Sequence, residues 1–112
     1  MASVHRLDRP HAAPGRVTFS RAELRILLDE YSRRVAAGEW RDYAIDYRPD
    51  RAAFSMFRHT AEFPLYTVEK IIGRDAKAMW RLLRGRERLC QGRNLSDILA
   101  AIERRPRLVT LF

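Results

Sequence analysis

The chain has 112 residues, is 46% hydrophobic and 32% charged, and carries a formal net charge of +8. That length holds one domain and leaves no room for a second core; one cysteine excludes an internal disulfide and, with three histidines, a structural zinc site of the usual kind. The positive surplus points toward nucleic acid, an acidic protein or an anionic membrane surface.

Residues 1–16, "MASVHRLDRPHAAPGR", read as a flexible basic tail with no periodicity and no core. The tail has arginines but no apolar centre, so it does not read as a secretory signal. No apolar run is long enough to cross a bilayer. The expectation is a cytoplasmic protein, with residues 17–112 forming a single α+β domain.

The first helix is signalled in "FSRAELRILLDEYSRRVAAGEW". Ser20 with Glu23 makes a capping box, and Phe19 before the cap can staple against Leu24. Leu24, Leu27, Leu28, Tyr31 and Val35 form one apolar stripe. Asp29 with Arg33 and Glu30 with Arg34 are spaced as ion pairs on the solvent side. Gly38 suits a left-handed C-terminal cap. The helix is expected over about residues 20–37.

The next stretch, "GEWRDYAIDYRPDRAAFSMFRHTAEFPLYTVEK", alternates apolar and polar residues around the turn "RPDR" at 48–51. If the chain folds back there, Tyr47 faces Ala52, Ile45 faces Phe54 and Tyr43 faces Met56. All six side chains then share the core face. Asp42, Ala44 and Asp46 fall on the other face, opposite Phe57, Ser55 and Ala53. In a third strand, "PLYTVEKII", Tyr66 and Val68 point inward and Thr67 and Glu69 outward. The same alternation puts Trp40, Phe57 and His59 together on the outer face, beside Asp42 and Asp46.

Residues 74–93 fit two structures. Asp75 could cap a helix carrying Ala76, Met79 and Leu83 on one side. Gly85 suits a hairpin instead, "AMWRLL" then "RGRE" then "RLCQ", and periodicity does not arbitrate. In the last helix, "NLSDILAAIERRP", Asn94 caps and Leu95, Ile98, Leu99 and Ile102 form the stripe. Asp97 lies in the first turn and Arg104 and Arg105 in the last, and Pro106 stops it. The apolar ending "RLVTLF" suits docking on its own domain, a partner-binding strand or a dimer contact.

The charge is unevenly placed. Residues 1–16 hold three basic and one acidic residue, 17–73 nine of each, and 74–112 ten basic and four acidic, so +6 of the +8 lies in the last third. Only Lys70 and Lys77 are lysines among the 22 basic residues. An arginine bias of that kind also comes from GC-rich coding, which stands beside the electrostatic reading.

The segments "VAAGEWRDYAIDY" at 35–47 and "FSMFRHTAEFPLYTVEK" at 54–70 resemble a family of short alphaproteobacterial proteins known as domain of unknown function 2794. The likeness covers about residues 17–70 and weakens beyond Lys70. Family members there show a strand, a tight glycine turn, a second strand and a helix. The resemblance therefore implies a hairpin for 74–93, although "DAKAMWRLLRGRER" is more basic and less glycine-rich than the family pattern. It implies no activity. The expected fold is α+β: an antiparallel sheet of about four to five strands with an N-terminal and a C-terminal helix packed on one face.

Chemistry is sparse. His59 is the only histidine outside the tail, and an Asp42–His59 pair with Ser55 on the same face can be drawn. Three common polar residues on an open sheet face allow such a drawing readily, and no catalytic residue is assigned. Cys90 suits the core. Gly85 and Gly92 belong to no phosphate-binding pattern, and neither a cofactor nor a small-molecule substrate is evident. For nucleic acid the candidates are Arg74, Lys77, Arg81, Arg84, Arg86, Arg88 and Arg93, a basic hairpin able to track phosphates. The "RGR" at 84–86 is like the core of a minor-groove hook but lacks its prolines. The element order is similar in outline to the double-stranded-RNA-binding fold, yet Asn94 and Asp97 stand where that fold has lysines. For a protein partner or homodimer the candidates are Trp40, Phe57, His59 and the C-terminal strand.

The reading favoured is a small non-enzymatic binding module that engages an anionic partner, such as nucleic acid, through the arginine-rich hairpin. The alternative is a protein-interaction or homodimeric accessory factor. Local Glu87 and Asp75 partners would make the arginines no more than a solvated surface.

Overall fold

The computed structural model describes residues 15–59 and 63–104, with the side chains of 103 and 104 excepted. Expectations about the tail up to residue 14, the stop at Pro106 and the ending "RLVTLF" fall outside the described residues. Helix α1 spans Arg21–Ala36, strands β1 to β5 span Asp42–Tyr47, Ala52–Phe57, Tyr66–Ile72, Ala78–Arg84 and Glu87–Gly92, and helix α2 spans Leu95–Arg104. The strands form one antiparallel meander in the order β1-β2-β3-β4-β5. Both helices pack on one face, so the fold is the expected α+β arrangement.

Helix α1 begins where its chemistry dictates. Ser20 Oγ accepts from the Glu23 amide at 3.1 Å and Glu23 Oε1 accepts from the Ser20 amide at 2.7 Å, a closed capping box. It ends in a Schellman motif. The Glu39 amide donates to Arg34 O at 2.8 Å and the Gly38 amide to Val35 O at 2.9 Å, with Gly38 at φ +79°. Phe19 does more than staple. It is buried against the sheet, its ring 6.0 Å from that of Trp80 and nearly parallel to it, with Tyr47 edge-on at 5.7 Å. Lys70 Nζ ties the same region to β3, donating to Thr18 O at 2.8 Å and to Glu23 Oε1 at 2.7 Å.

The first hairpin has the expected register, with Tyr47 opposite Ala52, Ile45 opposite Phe54 and Tyr43 opposite Met56. Ala52, Phe54, Met56, Val68, Trp80 and Leu82 line the helix-covered face and are buried. The 74–93 segment is a hairpin, not a helix. Gly85 and Arg86 form a two-residue loop closed by Arg84 and Glu87, with Gly85 at φ +62°. A glycine with positive φ at the first loop position suits the twist of the flanking strands. A bulge at Leu82/Leu83 leaves Leu89 as the extra residue of β5, and Leu89 and Cys90 both pack toward the core. Asn94 Oδ1 caps α2 by accepting from the Asp97 amide at 3.0 Å, and Leu95, Ile98, Leu99 and Ile102 are buried.

Two expectations are corrected. The Glu30–Arg34 pair forms, with Arg34 Nε 2.8 Å from Glu30 Oε2, but it is buried, not on the solvent side. Arg33 turns to Glu30 in place of Asp29, and Val35 is exposed. The buried stripe of α1 is therefore rotated, running Leu24, Leu27, Glu30, Arg34.

The second correction is Trp40, which is only 2% exposed and belongs to the core. Its ring lies 6.3 Å from Tyr31 and 6.5 Å from Tyr66, with the Arg34 guanidinium 5.5 Å from its centroid. Strand alternation holds only inside the ladder, and β1 begins at Asp42. Trp40 sits in the connection before it and turns under the end of α1.

Candidate nucleic-acid interface

A meander places successive turns at alternate ends of the sheet. The 48–51 and 73–77 turns and Arg93 lie at one end, called here the proximal end. The β2–β3 connection and the Gly85-Arg86 turn lie at the distal end. The seven basic candidates are accordingly not one surface. Arg74, Lys77 and Arg93 are proximal, Arg84, Arg86 and Arg88 are distal, and Arg81 is midway on the face away from the helices. The seven residues of β4 span roughly 20 Å at about 3.3 Å per residue.

The two ends differ in electrostatics. At the proximal end Arg48 pairs with Asp46 at 2.7 Å, Arg51 with Asp50 at 2.9 Å and Arg93 with Asp75 at 3.1 Å. Asp75 is held below its ordinary carboxyl value, first by the Lys77 amide, which donates to Oδ1 at 3.1 Å, and then by Arg93. Midway, Glu69 takes Arg81 at 3.0 Å and Arg51 at 3.2 Å, so Arg81 is spoken for. At the distal end Arg84, Arg86 and Arg88 are exposed, and no carboxylate among the described residues pairs with them. Arg88 reaches only the neutral amide oxygen of Gln91, at 3.5 Å. Arg58, exposed just past β2, adds a fourth such guanidinium.

The other candidates separate. Trp40 is in the core, Phe57 is half-buried on the outer face, and His59 is exposed beyond the end of β2. The aromatic patch drawn from alternation is thus broken. Asp42 Oδ1 accepts from the Tyr43 amide at 2.8 Å. Ser55 Oγ lies 3.3 Å from Thr67 Oγ1 across the strands, so the drawn Asp42–His59–Ser55 set has other local partners. A cleft of about 300 Å³ opens between α1 and α2 beside Ile26, Glu30, Arg33 and Leu99. Its carboxylate at Glu30 is already held by Arg33 and Arg34. Among the described residues no group of three or more histidine, cysteine, aspartate or glutamate side chains could hold a metal ion, and no helix is long and apolar enough to cross a membrane.

Sequence reasoning missed Arg58 and Phe63, both in the β2–β3 connection. Phe63 is 92% exposed. The available signal was an aromatic residue in a polar connection, directly before Pro64.

No curated protein and no solved structure matches the chain. The family described as Protein of unknown function (DUF2794) matches residues 17–99, which takes in α1, all five strands and the start of α2. The chain is a member of the DUF2794 family.

Proposed function

We propose that this protein is a non-enzymatic binding module that engages nucleic acid through the distal arginines Arg84, Arg86 and Arg88. The observation that carries the reading is the cluster at the distal end: Arg84, Arg86 and Arg88 are exposed around one turn without an acidic partner among the described residues, whereas at the proximal end Arg48, Arg51 and Arg93 pair with aspartates and Arg74 and Lys77 do not. An unpaired guanidinium gains most from a phosphate, which it can bind in bidentate fashion. The two-residue turn holds the three side chains on a short, hydrogen-bonded support, so little ordering is needed on binding.

The test is fluorescence anisotropy with labelled duplex DNA, single-stranded DNA and RNA, beside the Arg84/Arg86/Arg88→Ala variant. Three phosphate contacts predict that wild-type affinity falls roughly 20- to 40-fold between 50 and 200 mM salt. The variant should lose both the binding and the salt dependence. Equal, weak binding by both proteins overturns the reading.

A second reading rests on the outer sheet face. Phe57, Ile71, Met79 and Leu83 are partly exposed there, and no described element covers them. Phe57 and Leu83 lie toward the distal end and Ile71 and Met79 toward the proximal end, with the Glu69–Arg81 pair between, and these exposed apolar side chains favour a protein partner or a second copy. It predicts a concentration-dependent mass in light scattering that drops with Phe57→Ala.

A further inference from the structure

We infer that the distal arginines receive an unpaired strand and that Phe63 stacks on one of its bases. This rests on the nucleic-acid reading above and names the form of the ligand. A single exposed apolar residue is ordinary by itself. Phe63 differs in degree and in company. At 92% it is more than twice as exposed as Ile72, Val35 or Ile26, at 43%, 41% and 37%. Folding therefore draws almost nothing from its ring.

Its position is set by the ladder. Thr67 pairs with Leu83, and the Leu65 amide donates to Met56 O at 2.8 Å, so the chain is anchored two residues after Phe63. Pro64 restricts Phe63 to an extended backbone. Phe63 and the Gly85-Arg86 turn thus project past the same end of two adjacent strands, whose axes lie about 4.8 Å apart. Arg58 is exposed at the same end of the sheet, past β2 on the other arm of the connection.

An aromatic face among guanidiniums is the combination that holds single strands. The charges take the phosphates, and the ring takes the face of a base. In a duplex that face is already covered by its neighbours, so Phe63 has nothing to stack on. Arginines alone would bind both forms by charge. The structure thus predicts a base-dependent component found only with unpaired strands.

The test uses the full chain with four labelled probes at low salt: oligo-dT, oligo-U, an abasic oligomer of the same length, and a duplex. Phe63→Ala should weaken oligo-dT and oligo-U binding about tenfold or more. It should leave the abasic oligomer and the duplex unchanged, and Phe63→Trp should restore the loss. A matching thermal midpoint for Phe63→Ala confirms an intact fold. If the arginine variant loses binding but Phe63→Ala binds every probe like wild type, stacking is refuted and the nucleic-acid reading stands. If wild type binds none of the probes, that reading falls and takes this one with it. The oligo-dT and oligo-U arms separate DNA from RNA.

Discussion

Replacing the buried Glu30 tests the least expected part of the core. Arg34 and Glu30 are 7% and 5% exposed. Arg34 Nε meets Glu30 Oε2 at 2.8 Å, Nη1 meets Glu39 Oε1 at 2.8 Å, and the guanidinium lies 5.5 Å from the Trp40 ring centre. Burial pulls the Arg34 guanidinium down, but hydrogen bonds and charge from Glu30 and Glu39 outweigh it and leave it above its ordinary value. Removing one partner of a buried pair costs about 3–5 kcal/mol, because the other charge is stranded. Glu39 is partly solvated and keeps a share of the compensation, so Glu30→Leu should cost about 3 kcal/mol. At about 4–8 °C per kcal/mol for a domain near this size, the thermal midpoint should fall by roughly 12–24 °C. Arg34→Met should cost a similar amount. The double variant should lie within about 1 kcal/mol of wild type, since an apolar pair of similar volume can replace a buried ion pair. Urea denaturation followed by tryptophan fluorescence measures all four proteins. Additive losses, near 6 kcal/mol in the double variant, would refute the claim that the pair acts as one buried unit.

Trp40→Ala should destabilise by about 3–5 kcal/mol as a core truncation, whereas Phe57→Ala on the outer face should cost well under half as much; equal, small losses in thermal melts would return Trp40 to the surface. Gly85→Ala should cost about 1–2 kcal/mol through its positive φ alone, because no atom lies within 4 Å of the added methyl; an unchanged denaturation midpoint would contradict the turn geometry. Burial raises the phenol of Tyr47 above its ordinary value of 10.0, and burial followed by Asp42 does the same for Tyr31. Folded tyrosines thus hold their protons longer than unfolded ones, so this stability is intact below pH 10 and is lost as pH rises past it. Tyr47→Phe should lose less thermal stability than wild type between about pH 9 and 11, and parallel pH profiles would exclude Tyr47 as a contributor.

Most of the fold was legible because its signals are local or strictly periodic. The Ser20–Glu23 box, the Gly38 cap and the Asn94 cap need only a few neighbouring residues, and each forms as read. The first hairpin was legible because alternation and one turn admit one register. Residues 74–93 were not, since a seven-residue apolar-rich run fits either period; the resemblance pointed to the hairpin. Trp40 was misplaced by extending strand parity past the first ladder residue. Glu30 and Arg34 were misplaced because a charged i,i+4 pair reads as surface whether or not other parts of the chain cover it, as Trp40 covers Arg34. Of the candidate site, the identity of the basic residues was legible, but their division between two ends was not. That division depends on turns alternating between the ends of a meander, a property of the whole sheet.

Turn chemistry then bears on which arginines take a carboxylate. Asp50 and Asp75 are in the proximal turns for a geometric reason, since a short acidic side chain bonds the backbone of a tight turn; Asp75 does so to the Lys77 amide. Once there, each carboxylate takes a neighbouring arginine, Asp50 taking Arg51 and Asp75 taking Arg93. The distal β4–β5 turn obtains its geometry from Gly85, which has no side chain and brings no charge. Glu87 faces Arg84 in the pair that closes the turn but forms no ion pair with Arg84, Arg86 or Arg88 among the described residues, and Arg58 lies at the same end two strand spacings from β4. A protein with aspartate in place of Gly85 could still form a two-residue turn. It would also set a second carboxylate in the turn, between Arg84 and Arg86. The glycine thus contributes to the proposed binding by what it leaves out.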